Sequence, residues 1–179
     1  MSTPSRRAAV LWLTGLPAAG KTTIASRVHR ILAERGVAAE FLDGDLVRAL
    51  APTGFTRADR DAHVLRVGFL ASRLERHGVS SICALVSPYA DARLRVREMC
   101  RRFVEVHVAT PLDVCERRDP KGLYARARRG ELERFTGVSD PYEPPERPDL
   151  RIDTSRVSEE EAVAQVLGAW EGASGGASA

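Results

Sequence analysis

Residues 15–22 read Gly-Leu-Pro-Ala-Ala-Gly-Lys-Thr, a complete G-x-x-x-x-G-K-[ST] loop, and its flanks are what such a loop needs. Ala8 to Leu13 is an apolar run of strand length. From Thr22 to Arg35, apolar residues fall at Ile24, Val28, Ile31 and Leu32, a helical spacing. Strand, glycine loop and helix together form a seat for a polyphosphate, because loop N–H groups and the positive helix end both face it. Gly15, Leu16, Pro17, Ala18, Ala19, Gly20, Lys21, Thr22 and Thr23 are the candidate nucleotide-binding residues. Lys21 is expected to reach the β- and γ-phosphates, and the Thr22 hydroxyl to help hold Mg²⁺.

The rest of the chain continues the alternation. Ala39 to Leu42 reads as a second strand ending at Asp43-Gly44-Asp45, which by itself makes a good turn. A polar stretch, 51–57, leads to a helix over about 60–77. Ser81 to Val86 reads as the third strand, followed by a helix over 91–101 with Leu94, Val96 and Met99 on its apolar face. Residues 103–108 are the fourth strand and 150–152 a short last one. A terminal helix over 159–170 opens on a capping box, Ser158 with Glu161. Strands alternating with helices predict an α/β fold: three layers, a mainly parallel central sheet of the phosphate-loop NTPase and kinase type, helices on both faces. Residues 1–7 are expected to be loose, 8–170 to form the domain, and 171–179, nearly all Gly, Ala and Ser, to be disordered.

Composition narrows the partners. A net charge of +3 over 179 residues makes no case for nucleic acid, and an anion-binding pocket accounts for it equally well. Three cysteines without a C-x-x-C spacing argue against a disulfide framework or a zinc site, so a reducing, cytoplasmic setting is expected. No apolar run reaches the roughly 20 residues of a membrane span. The chain has no asparagine, so it cannot carry the Asn-Lys-x-Asp guanine reader of GTPases.

Phosphoryl transfer needs a carboxylate near the metal, commonly at a strand end. Strands three and four end without an acid, which leaves Asp43 or Asp45 to bind metal or to accept the attacking hydroxyl's proton. The segment 117–134 carries seven basic and three acidic residues. Arg118, Arg126, Arg128 and Arg129 within it suit a lid, about 117–137, that closes over a nucleotide.

In order along the chain, the phosphate loop is joined by Asp43-Gly44-Asp45 with Arg48, by Gly54-Phe55 with Asp59-Arg60, and by Ser87-Pro88-Tyr89. Cys115-Glu116-x-Arg118 through Tyr124 (with Lys121-Gly122-Leu123) and Phe135-Thr136-Gly137 through Asp140-Pro141-Tyr142-Glu143 complete the series. These blocks resemble adenylylsulfate kinase over about residues 8–153. The resemblance implies a kinase, usually dimeric, that uses ATP to phosphorylate the 3′-hydroxyl of adenosine 5′-phosphosulfate. It implies that Arg48 and Arg60 neutralise the acceptor's anion and that Phe55 and Phe135 sandwich its adenine. Lys121 would contact the acceptor, Arg118 would lie by the ATP base, and Ser87 would line the pocket at the family's phosphoserine position. The chain departs from the family pattern at Leu46, His63, Leu65 and Ala90, all expected on the acceptor side. Those departures leave room for a kinase of another nucleotide with an anionic 5′-substituent. A catalytically silent nucleotide-binding subunit is opposed by the intact Lys21, Thr22, Asp43 and Asp45.

Overall fold

The computed structural model describes residues 7–51 and 53–175. Five strands form one sheet in the order β2-β3-β1-β4-β5, every neighbouring pair parallel. They are β1 (Val10–Thr14), β2 (Ala39–Asp43), β3 (Ser80–Ala84), β4 (Phe103–Val108) and β5 (Leu150–Ile152). The helices between and after them are α1 (Lys21–Glu34), α2 (Gly44–Leu50), α3 (Arg57–Arg76), α4 (Ala90–Met99), α5 (Leu112–Arg118), α6 (Leu123–Arg128) and α7 (Glu159–Ser174).

The central strand explains the layering. Every residue of β1 is buried, and its side chains alternate between two cores. Ala9, Leu11 and Leu13 pack with Ile24, Val28 and Leu32 of α1 and with Val163, Val166 and Trp170 of α7. Val10 and Trp12 pack on the other face with Val64, Val67 and Ala71 of α3 and Val96 of α4. Close approach of α3 to α4 depends on Gly68, where an added Cβ would lie 2.5 Å from a Val96 methyl. A parallel sheet covered on both faces requires such near-continuous apolar strands.

The structure differs from sequence expectation at four places. Asp43 closes β2, but Gly44 to Leu50 is a helix rather than a turn and loop, because Asp43 caps it: its carboxylate accepts from the N–H groups of Asp45 and Leu46. The next helix begins at Arg57, where Thr56 and Asp59 form a capping box. On α4 the inward residues are Ala92, Arg93 and Val96, while Leu94 points outward and is 56% exposed. The terminal helix keeps its predicted Ser158–Glu161 box but runs four residues past Trp170 to Ser174, whose side chain is buried and whose carbonyl accepts from the Arg7 N–H. Residues 1–6 and 176–179, expected to be loose, lie outside the described residues.

Candidate active site

A cleft of about 1270 Å³ runs along the carboxyl ends of the strands, where parallel sheets place their ligands. At one end lie Pro17, Ala18, Gly20, Lys21, Thr22 and Thr23. The turn into the loop depends on Gly15 (φ +152°), since a Cβ there would collide with the Val108 carbonyl. Gly15, Leu16 and Ala19 do not line the cleft; Gly15 and Ala19 are buried beneath the loop, and Leu16 faces a shallower groove with Gly137 to Tyr142. Thr154, just past β5, donates from its hydroxyl to the Ala19 carbonyl (3.0 Å) and so moors the loop to the far side of the sheet.

Lys21 is folded back on its own loop. Its Nζ donates to the carbonyls of Gly15 (2.9 Å) and Leu16 (2.7 Å), and the residue is 8% exposed. Burial lowers its pKa to about 8, although Cys115, Asp45 and Asp43 pull the other way. The two loop carbonyls hold the ammonium on its own loop, at the wall of the cleft. The Thr22 hydroxyl lies 3.3 Å from Asp43 Oδ2, which brings the two predicted metal-site oxygens together.

Across the cleft lie Asp45, Leu46, Arg48, Phe55, Arg60, His63, Ser87, Lys121 and Phe135. Asp45 and Lys121 form an ion pair of 2.6 Å that is 74% and 66% exposed, a contact that water and a ligand can readily exchange. The Lys121 hydrogen bond lowers the Asp45 pKa, and Asp45 in turn raises that of Lys121. Arg48 stacks over the Phe55 ring, 5.0 Å from its centroid, and donates to the Gly54 carbonyl (3.2 Å). Arg60 lies on the same ring at 5.6 Å. Phe55 is 56% exposed, whereas Phe135 packs edge-on against Tyr124 with centroids 5.0 Å apart. His63 is buried, with Nδ1 lacking a partner among the described residues; burial, with the Arg48 and Arg66 charges, depresses its pKa to about 4.

Ser87 reaches the cleft, but its hydroxyl is engaged by interior side chains. It accepts from Trp12 Nε1 (3.1 Å) and donates to Thr14 Oγ1 (2.9 Å) in the protein interior, and its φ of +38° turns the chain sharply. Two of the four departures are also relocated. Leu65 packs against the α3 side of the core, and Ala90 is an exposed residue whose N–H is taken by Glu143; neither borders the cleft, whereas Leu46 and His63 do. Of the lid arginines, Arg118 and Arg126 line the cleft. Arg118 donates to Thr154, Arg126 pairs with Glu131, and Arg128 and Arg129 pair with Glu116 and Glu131 away from it. Sequence reasoning missed Thr154, which acts through contacts across the fold and carries no local pattern; Tyr89 and Asp140 stood in quoted motifs, but their contacts to each other and to Arg60 were not read.

The profile of the adenylylsulphate kinase family matches residues 7–153. An adenylyl-sulfate kinase of Halothermothrix orenii is 46% identical over 165 residues, covering 91% of this chain and 89% of that one. A probable adenylyl-sulfate kinase of Aeropyrum pernix is 50% identical over 151 residues, 81% and 82% of the two chains. Among solved structures, the Mycobacterium tuberculosis APS kinase in complex with AMPPNP and APS superposes with a TM-score of 0.84 at 41% identity, covering 90% of this chain and 98% of that one. A phosphate loop, the α/β scaffold that carries it and identity of this extent over nearly the whole chain lead to one conclusion: the chain belongs to the adenylylsulphate kinase family of phosphotransferases.

Proposed function

We propose that the chain transfers the γ-phosphoryl group of ATP to the 3′-hydroxyl of adenosine 5′-phosphosulfate, giving ADP and 3′-phosphoadenosine 5′-phosphosulfate. The observation that carries this reading is a single cleft with a phosphate loop at one end and, facing it, arginines and two phenylalanines suited to an anionic purine nucleotide. Lys21 leaves the two loop carbonyls for the transferring phosphoryl group, and Arg118 and Arg126 approach from the lid, about 117–137. Arg48 and Arg60 receive the phosphosulfate, Phe55 and Phe135 the adenine. Asp45 and Lys121 exchange their mutual contact for contacts with the acceptor.

The oxygen pair of Thr22 and Asp43 fits Mg²⁺, which takes one or two protein oxygens beside phosphates and water. Those residues would hold it, and when bound it neutralises charge on the β- and γ-oxygens. In the transfer the bond from the γ-phosphorus to the β–γ bridging oxygen breaks, the bond to the ribose 3′-oxygen forms, and the hydroxyl proton passes to Asp45, Asp43 being the carboxylate that would hold the metal. Direct in-line transfer needs no phosphoserine, in keeping with the engaged hydroxyl of Ser87. A cytoplasmic homodimer completes the reading; the apolar side chains left exposed on α3 and α4, Phe69 and Leu94, support association. No helix among the described residues is long and apolar enough to cross a membrane.

The test is ADP release from ATP and Mg²⁺ with and without adenosine 5′-phosphosulfate, with the product identified by mass. Acceptor-dependent ADP and a 3′-phosphorylated product are expected. ATP binding without stimulation would overturn the choice of acceptor. It would turn attention to Leu46 and His63, the two departures that border the cleft, as marks of a different nucleotide.

A further inference from the structure

Arg60 is 8% exposed and its guanidinium joins two segments that are far apart in sequence. Nε donates to the Phe55 carbonyl (3.2 Å) and Nη2 to the Arg134 carbonyl (2.5 Å), so one planar group holds the backbone of Phe55 and the residue immediately before Phe135. Arg134 is in the left-handed region, with φ +53°, a conformation that a side-chain-bearing residue keeps only when its surroundings impose it. Asp140 lies 3.6 Å from Arg60 Nε and also accepts from the Tyr89 hydroxyl (2.7 Å), which anchors the guanidinium from behind. On the far side of Phe135, its N–H donates to Ser139 Oγ (3.0 Å).

We infer that Arg60 is a positioning residue that sets the separation of the two aromatic walls, Phe55 and Phe135, and thereby the slot for the acceptor's base, whatever charge it also lends to the anion. The inference rests on the acceptor reading of the cleft given above. A guanidinium suits this role because its donors lie in one rigid plane at fixed angles; an ammonium is a point donor on a flexible stem and cannot hold two carbonyls at a set spacing. Binding an anion needs charge, whereas spacing two walls needs the fork. The two roles therefore part company in Arg60→Lys and in a ligand that has the base but no anion.

The experiment measures binding of adenosine and of adenosine 5′-phosphosulfate by calorimetry to the wild type and to Arg60→Lys, together with the KM for ATP. Both dissociation constants are expected to rise together by about tenfold, the scale of one lost base–aromatic stack, with the ATP KM unchanged. Adenosine bound as tightly as by the wild type, with only the anionic ligand weakened, would overturn the inference and leave Arg60 as an anion ligand alone. Wild-type values for both ligands would overturn it as well. Should Arg60→Lys fail to fold, Asp140→Asn keeps the guanidinium but removes its anchor; weaker adenosine binding is expected, and an unchanged value is the contrary result. If the acceptor proves to be a different nucleotide, the wild type shows no turnover with adenosine 5′-phosphosulfate. The adenosine arm still reports whether Arg60 holds the slot.

Discussion

At the loop end of the cleft, the groups suited to a triphosphate come from nine consecutive residues, 15–23, seated between a fully buried strand and the first turn of α1. At the end we propose for the acceptor, Arg48, Phe55, Arg60, His63, Lys121 and Phe135 come from segments scattered over nearly ninety residues, and Arg48 and Arg60 tie them together by donating to backbone carbonyls. The first end is shaped by backbone geometry and tolerates few changes. The second is assembled from separate segments, so on the proposed reading its walls can be altered one at a time. Substrate choice within one scaffold can therefore change at the acceptor end while phosphate chemistry stays fixed.

The sharpest challenge to that contrast is Lys21→Met. Turnover is expected to fall by about 10²–10³, the loss of one preorganised charged donor at a developing charge, with little change in melting temperature. Steady-state kinetics beside a thermal melt checks it. A mild loss of rate would mean that the loop end is less decisive than its geometry implies.

Next in size is a change that strikes the acceptor end through its supports. Arg93 is 3% exposed; it pairs with Glu105 (2.9 Å) and donates to the carbonyls of Ser87 and Glu143 (2.7 Å each). Arg93→Ala takes from the buried Glu105 its nearest cation, leaving Arg97 at 3.7 Å, and removes the close donor to two carbonyls, at a cost of about 3 kcal/mol. Urea denaturation measures the loss. Hydrogen exchange should show the added opening concentrated around residues 135–149 rather than in α1. Uniform loss of protection would mean that the two ends are not separable units.

Phe55→Ala is a smaller step. Phe55 is half exposed and stacks under Arg48 and Arg60, so its removal should raise the acceptor KM by about tenfold and hardly touch stability. Phe135→Ala should weaken the acceptor similarly but also destabilise the fold, because that ring packs on the buried Tyr124. Equal stability in the two variants would contradict the distinction.

How much of this was legible in the sequence follows the same division. The loop, its strand and its helix are contiguous, so periodicity and motif were enough to read the sheet and α1 and to point to Lys21 and Thr22 as loop residues at the cleft. Asp43 was recognised as a strand-end carboxylate, but Asp43-Gly44-Asp45 also satisfies turn chemistry, and the seven-residue helix that Asp43 caps is too short to show a period. Resemblance named the residues of the acceptor end without showing their surroundings. Leu65 was expected there, yet it faces the core because α3 turns that side toward β1 and α4. Resemblance set Ser87 at the family's phosphoserine position lining the pocket, and only its long-range bonds to Trp12 and Thr14 show what its hydroxyl does. Contacts between residues more than seventy positions apart leave no trace in local spacing.

The smallest effect is a proton, and it belongs to the loop end alone. Desolvation holds the Lys21 pKa near 8 instead of 10.5. A phosphate beside the ammonium favours the charged form, so bound ATP should lift that pKa again. Between pH 8 and the lifted value the free enzyme carries the amine partly neutral, while the complex carries it charged, and binding takes up the difference. ATP affinity should consequently weaken as pH rises above 8, whereas below pH 7, where both states are protonated, this group contributes no pH dependence. Calorimetry of ATP binding near pH 8.5, in buffers of different ionisation enthalpy, should report uptake of about half a proton or more that disappears in Lys21→Met. His63 provides the internal contrast. Burial keeps its pKa near 4, so acceptor binding should show no linked proton from it between pH 6 and 8. Uptake that persists in Lys21→Met would assign the proton to another group and remove the evidence that Lys21 waits, desolvated, for the phosphate.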